Sequence, residues 1–185
     1  MQYKYSYQVN DDFIADILRI DASVYQPAVQ GTENSVLARY NANRESFILA
    51  YDNSQIIGYA AFFPITNELS ERMKNEDKAF DDNIQAKDIL PSYTGNNDFD
   101  LFLISIAILP EYIGRGIGTE LMKKYFAVVS DKIQDGCRIK NTYSYAVTDA
   151  GARILSRNGF TEVKDIQHPE LKTITKLMRY EFSKP

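Results

Sequence analysis

The stretch Ile106-Ala-Ile-Leu-Pro-Glu-Tyr-Ile-Gly-Arg-Gly-Ile-Gly-Thr-Glu-Leu-Met122 sets three alternating glycines, Gly114, Gly116 and Gly118, between an apolar run and a helical pattern. Glycines at the opening of a helix have no Cβ to hold a ligand off the backbone. The first amides of the helix and the positive end of its dipole then converge on one spot. That geometry suits a phosphate or pyrophosphate. Arg115 adds a fixed positive charge able to meet phosphate oxygens. Simpler accounts compete. The glycines can serve only a tight strand–helix turn. A phosphate-loop nucleotidase needs Gly-Lys-Ser/Thr, which does not follow. A dinucleotide-binding fingerprint needs a third glycine where Thr119 stands. It also turns directly from strand to glycines, whereas Pro110, Glu111 and Tyr112 intervene here.

Outward from this stretch, residues 101–109 form a strongly apolar run up to Pro110, which predicts a strand buried on both faces. After the glycines, Ile117, Leu121, Tyr125 and Val128 recur at helical spacing. The next strand is expected over 143–147. Asp149 can cap a helix that turns Ala152 and Leu155 inward, with Gly159 as its C-terminal residue. Strands over 160–165 and 173–182 close the chain. Towards the N-terminus, 2–9 alternates as a first strand, and Asp11 or Asp12 caps a helix carrying Phe13, Ile17, Ile20 and Val24 on one face. A short helix over 32–40 precedes a hairpin of strands 47–51 and 56–63 around Asp52-Asn53-Ser54, with Pro64 ending the second strand.

Residues 66–98 differ in character. A helix over 68–75 sets Leu69 and Met73 one turn apart. Seven acidic residues (Glu68, Glu71, Glu76, Asp77, Asp81, Asp82, Asp88) stand against Arg72, Lys74, Lys78 and Lys87, which is most of the net charge of −4. So long a connection is usually functional or mobile. A solvated insertion and a lid over a substrate site are equal expectations.

With 185 residues, 44% apolar and 25% charged, the chain is expected to form a single domain over 1–185. Its negative charge argues against a nucleic-acid partner. Cys137 is the one cysteine, so no internal disulfide and no zinc pair is expected, and no metal ligand set stands out. The first residues lack the apolar core of a secretory signal, and no run reaches the roughly 20 residues of a membrane helix. A cytoplasmic protein without a membrane partner is the expectation.

The run Pro110-Glu111-Tyr112-Ile113-Gly114-Arg115-Gly116-Ile117-Gly118 resembles the acetyl-CoA-binding motif of the GCN5-related N-acetyltransferase (GNAT) family, Gln/Arg-x-x-Gly-x-Gly/Ala after a buried strand. The segment Arg153-Ile-Leu-Ser-Arg-Asn-Gly-Phe160 resembles the second signature of that family, a helix ending in Gly-Phe. The order of elements matches over most of the chain. Tyr59-Ala-Ala-Phe-Phe-Pro64 followed by the acidic insertion is similar to a bacterial branch whose acceptor has no name. The resemblance implies an α/β fold: a mixed, mostly antiparallel twisted sheet flanked by helices and splayed between its two central strands. It implies acetyl-CoA as co-substrate, with Ile106, Ala107 and Ile108 along the pantetheine arm. Ile113, Gly114, Arg115, Gly116, Ile117, Gly118 and Thr119 would form the pyrophosphate cradle. It further implies a homodimer as a possible assembly.

Two departures bear on chemistry. Ile113 stands where the motif has Gln or Arg, so one side-chain contact is lost while the amide cradle remains. Leu155 stands five residues before Phe160, where many family members carry a tyrosine that protonates the leaving thiolate, and Thr148 replaces an asparagine. An alkyl ammonium of pKa about 10 must lose a proton before it attacks a thioester. The oxyanion needs a donor, for which the resemblance offers the amide near Ile108. Asp100 is a candidate base and Tyr143 a candidate acid/base group. A solvated carboxylate and aromatic packing, with Tyr145 beside it, are the simpler accounts of the two. His168 is expected in a surface turn and Cys137 as a plain thiol. Lys123, Lys124 and Lys132 lie near the 3′-phosphate of CoA or on a solvated helix face. The expected activity is acetyl transfer to a primary amine of a small molecule or peptide by direct attack. Acidic groups such as Asp98 would favour a cationic acceptor. The alternative is a non-catalytic acyl-CoA-binding or regulatory module.

Overall fold

Asn53 takes a φ of 54°, and this turn folds strand β2 (Phe47–Asp52) back on β3 (Gln55–Ile65) in antiparallel register. A computed structural model of the chain describes residues 1–79, 84–93, 97–168, 171 and 173–182. In chain order, β1 (Gln2–Tyr5), α1 (Phe13–Val24) and α2 (Glu33–Ala42) precede the hairpin. After it come α3 (Asn67–Asn75), β4 (Phe99–Ile108), α4 (Ile117–Gln134), β5 (Ile139–Ala146), α5 (Asp149–Arg157), β6 (Thr161–Gln167) and β7 (Ile174–Glu181). The seven strands form one sheet in the order β1-β2-β3-β4-β5-β7-β6, antiparallel except for the central β4–β5 pair. This is the mixed, mostly antiparallel α/β sheet that the sequence implies.

The alternation of β3 assigns the two faces. Tyr59 stacks towards Phe47, which meets Phe13 of α1, so α1 and α2 cover that face. Further along the same face, Phe63 and Phe102 lie under α3, whose Leu69 and Met73 are buried. Phe62 points the other way and meets the ring of Tyr125 on α4 edge-on. Below it, Tyr125 Oη and Thr142 Oγ1 share a hydrogen bond of 2.5 Å inside the core. Tyr125→Phe strips a fully buried hydroxyl of its partner and should cost about 1–3 kcal/mol in chemical denaturation.

Several local expectations change. Strand β1 ends at Tyr5, because the Ser6 hydroxyl donates to Arg44 O (2.6 Å) and accepts from Phe47 N (3.2 Å), replacing the ladder with a 3-10 turn. Pro64 does not end β3. Its carbonyl accepts from Leu90 N, so its ring nitrogen also points away from β4, where no ladder bond is forfeited. Thr148, rather than Asp149, caps α5 through its bond from Gly151 N. His168 is 2% exposed instead of on the surface, with Nδ1 accepting from Leu171 N. The segment after β3 is no solvated excursion where it is described, since Ala79, Ile84 and Ile89 join Leu69 and Met73 in the core. Asp81 and Asp82 lie outside the described residues, as does Pro169. No helix among the described residues is long and apolar enough to cross a membrane.

Candidate active site

Strands β4 and β5 pair only at one end. Their register runs from Phe99 with Ile139 to Phe102 with Tyr143 and goes no further, although both strands continue. At the point of separation Ser144 Oγ donates to Leu103 O (2.7 Å), so a side chain takes over where the ladder stops. Ile104 forms a bulge against β3, since Ala61 faces Ser105 while Phe62 faces Leu103. The two strands therefore open into a cleft of about 830 Å³ between the α1–α2 side and the start of α4. A cavity of that size suits a cofactor-sized ligand.

The glycine loop forms one wall. Gly116, at φ 79°, is the N-cap of α4, and Gly114 has φ 84°. A Cβ built on either glycine would meet no protein atom within 4 Å. Their identity therefore reflects the left-handed backbone and the open space above it, not protein packing. Gly118 differs, because a Cβ there would press on Ile108 Cδ1 at 3.2 Å, tighter than ordinary contact between α4 and β4. Among the described residues, no acceptor meets the amides of Gly116, Ile117, Gly118 and Thr119. These are the four unpaired donors of a helix start, and all four residues line the cleft. The open left-handed backbone and the unpaired amides fit a pyrophosphate.

The other expected cofactor residues divide. Ile106, Ile108, Ile113 and Gly114 line the cleft, whereas Ala107 is buried and Arg115 is not on the lining. Arg115 folds back, its guanidinium 4.7 Å from the Tyr112 ring centroid and donating to Glu111 O. Ile113 is 69% exposed at the rim of the cleft. Leu155 lines the cleft as a buried hydrocarbon, and the Thr148 hydroxyl beside it accepts from Gly151 N.

The candidate acid and base are elsewhere. Asp100 is 5% exposed beneath α3, accepting from Ser70 Oγ and from Asn141 Nδ2 (2.8 Å), with Lys74 Nζ at 3.6 Å. Tyr143 lies beside it, 5.7 Å from Lys74 Nζ, and neither residue lines the cleft. Tyr145 does. Asp98 pairs with Arg138 and Lys140 at the start of β5. Lys123 pairs with Glu120, and Lys132 with Glu45. Burial raises the Cys137 thiol, which suits a plain thiol better than a nucleophile.

A polar constellation that no motif announces does occupy the cleft. Asp21 of α1, Tyr25 at its end, Tyr59 of β3 and Ser105 of β4 all line it and are joined in series. Tyr59 Oη donates to Asp21 Oδ1, Ser105 Oγ donates to Tyr59 Oη (3.0 Å), and Tyr25 Oη lies 2.9 Å from Ser105 Oγ. Gly31 N donates to Asp21 Oδ2 at 3.2 Å. Burial raises the Asp21 carboxyl above its ordinary range against the opposing pull of Tyr59, Gly31 and Arg39. Burial likewise raises Tyr59, and it pushes Tyr25 up to about 12. The sequence did carry a signal. Asp21 sits four residues after Ile17 on the apolar stripe of α1, and Ser105 is the polar break in the apolar run of β4.

Comparison with known proteins bears on the whole arrangement. The GphF GNAT-like decarboxylase in complex with isobutyryl-CoA superposes with a TM-score of 0.74 at 11% identity, over 98% of this chain and 99% of that one. The loading GNATL domain of CurA from Lyngbya majuscula gives 0.69 at 13%, over 97% and 96%. The NatC complex bound to Gag peptide and CoA gives 0.68 at 16%, over 98% of each. At these identities the likeness is one of fold. No curated protein sequence matches the chain. The acetyltransferase (GNAT) family model matches residues 14–150, most of the length and both walls of the cleft, and the chain belongs to that family.

Proposed function

We propose that the protein transfers an acetyl group from acetyl-CoA to a primary amine of a small molecule or peptide by direct attack. One observation carries this reading: β4 and β5 separate beside a helix start whose four amides are unpaired. In this reading the amides of Gly116, Ile117, Gly118 and Thr119 hold the pyrophosphate, with Gly114 leaving room for it. Ile113 and Arg115 stand at the rim. The backbone of Ile106, Ala107 and Ile108, beyond the last β4–β5 pair, lies along the pantetheine arm. The bound thioester supplies an activated acyl group. Two proteins of like fold, the NatC complex and GphF, are described with CoA or an acyl-CoA, which supports the cofactor class.

A second reading, a non-catalytic acyl-CoA-binding module, is favoured by Leu155, a hydrocarbon where the resemblance places an acid. Incubating the protein with acetyl-CoA and a panel of primary amines, while following the appearance of free thiol, separates the two. Amine-dependent thiol release is expected. Tight acetyl-CoA binding with no thiol release from any amine would leave the second reading standing.

A further inference from the structure

The hydrogen-bonded series in the cleft has a fixed direction. Ionised Asp21 can only accept, so the single hydrogen of Tyr59 is committed to it. The oxygen of Tyr59 must then accept from Ser105, whose own hydrogen is used in doing so. With Asp21 ionised, Ser105 Oγ accepts from Tyr25, whose hydroxyl also lies 3.4 Å from Ile106 O, and one lone pair of Ser105 is left for the cleft it lines. Every donor in the series points towards Asp21. Ser105 lies at the bulge of β4 where β5 has just departed, next to the backbone assigned above to the pantetheine arm.

We propose that Ser105 and Tyr59 relay the proton of the acceptor ammonium to Asp21, with Tyr25 orienting Ser105. The proposal rests on the acetyltransferase reading and supplies its missing base. The ammonium gives one proton to Ser105 Oγ, Ser105 passes its own to Tyr59 Oη, and Tyr59 passes its own to Asp21 Oδ1. The amine nitrogen, now with a lone pair, attacks the thioester carbonyl carbon. The C–N bond forms, the C–S bond breaks, and sulfur leaves with the electron pair. The nitrogen loses a second proton to that sulfur, giving the amide and free CoA thiol, and Asp21 returns its proton to water. No hydroxyl at position 155 is needed. The groups facing Asp21 are Tyr25 of its own element, Arg39 of α2, Tyr59 of β3 and the Gly31 amide. Arg39 favours the ionised, receiving form.

The test compares wild type, Asp21→Asn and Tyr59→Phe as full chains. Acetyl-CoA affinity, measured by calorimetry, should be unchanged in both variants. For wild type, kcat/KM should rise with pH through the Asp21 carboxyl and then level off. In each variant it should fall by about 100-fold or more at neutral pH. It should then climb towards the pKa of the free amine, about 10, where the proteins converge. Carbon-13 titration of the Asp carboxyls without ligand should show one resonance shifted above the ordinary range that disappears in Asp21→Asn. If Asp21→Asn fails to fold, Tyr59→Phe, which keeps the ring, carries the same prediction. A loss of equal size at every pH, a loss of acetyl-CoA affinity, or an unchanged profile would each overturn the relay. Wild type that releases no thiol with any amine overturns the acetyltransferase reading, and the relay with it. An active wild type with unchanged variants overturns the relay alone.

Discussion

Gly116→Val is expected to weaken acetyl-CoA binding by about 100-fold or more, equivalent to about 2.7 kcal/mol, in a calorimetric titration. Two effects add. At φ 79° a side chain must adopt a left-handed backbone, which costs about 1–2 kcal/mol for an ordinary residue and more for a β-branched one. The cheaper escape is rotation of the Gly116 peptide, and that turns its amide away from the three that follow it in the cradle. If the backbone holds instead, the new methyls occupy the space that no protein atom fills, where the pyrophosphate is proposed to lie. Either way the ligand loses donors or room. The fold should survive, because a Cβ at this position meets no protein atom within 4 Å. A folded Gly116→Val with wild-type affinity would remove the pyrophosphate from the start of α4. Gly118→Val offers a contrast. It should lower thermal stability as well, since a Cβ there would lie 3.2 Å from Ile108 Cδ1.

The order of strands and helices was legible because each element carries its own periodic or continuous apolar pattern, and the glycine loop because its spacing is a local chemical device. What escaped was whatever depends on partners far apart in the chain. Pro64 looks like a strand end until Leu90 is seen bonding to its carbonyl. His168 looks exposed beside a proline, yet it is buried and its ring accepts from Leu171 N. In the segment after β3, apolar residues such as Ala79, Ile84 and Ile89 are spaced irregularly among polar ones. No short window shows a buried face, although together they seal the sheet under α3. The cleft itself divides in the same way. Its backbone half is contiguous in sequence and was readable. Its side-chain half joins Asp21, Tyr59 and Ser105 across positions more than 80 residues apart, and only folding brings them together. Asp21 and Ser105 each interrupt an apolar pattern, which is the trace such a residue leaves when burial serves chemistry rather than packing.

Asp100→Ala is expected to cost about 1–3 kcal/mol of stability in guanidinium denaturation, the range for leaving a buried polar group without its partner. The carboxylate is a junction of three elements. It accepts from Ser70 on α3 and Asn141 on β5, and Lys74 of α3 lies 3.6 Å away. Alanine leaves the Ser70 hydroxyl without its acceptor inside the protein, and polar groups stranded in that way carry their full desolvation cost. Lys74 makes the point electrostatically. Burial alone would lower its pKa, yet Glu71, Tyr143 and Asp100 more than reverse this and hold the ammonium charged over the Tyr143 ring. Without Asp100, part of that compensation goes, and α3 loses its tie to the paired end of β4 and β5. Those few residue pairs set where the two strands begin to part. Asp100→Asn, which preserves the shape and one acceptor, should cost less and remain folded at moderate temperature. In that folded variant turnover should persist, because the carboxylate is not part of the cleft lining. Turnover lost by about 100-fold or more with the fold intact would return Asp100 to the reaction. The paired end of the two strands would then belong to the chemistry and not only to the geometry of the cleft.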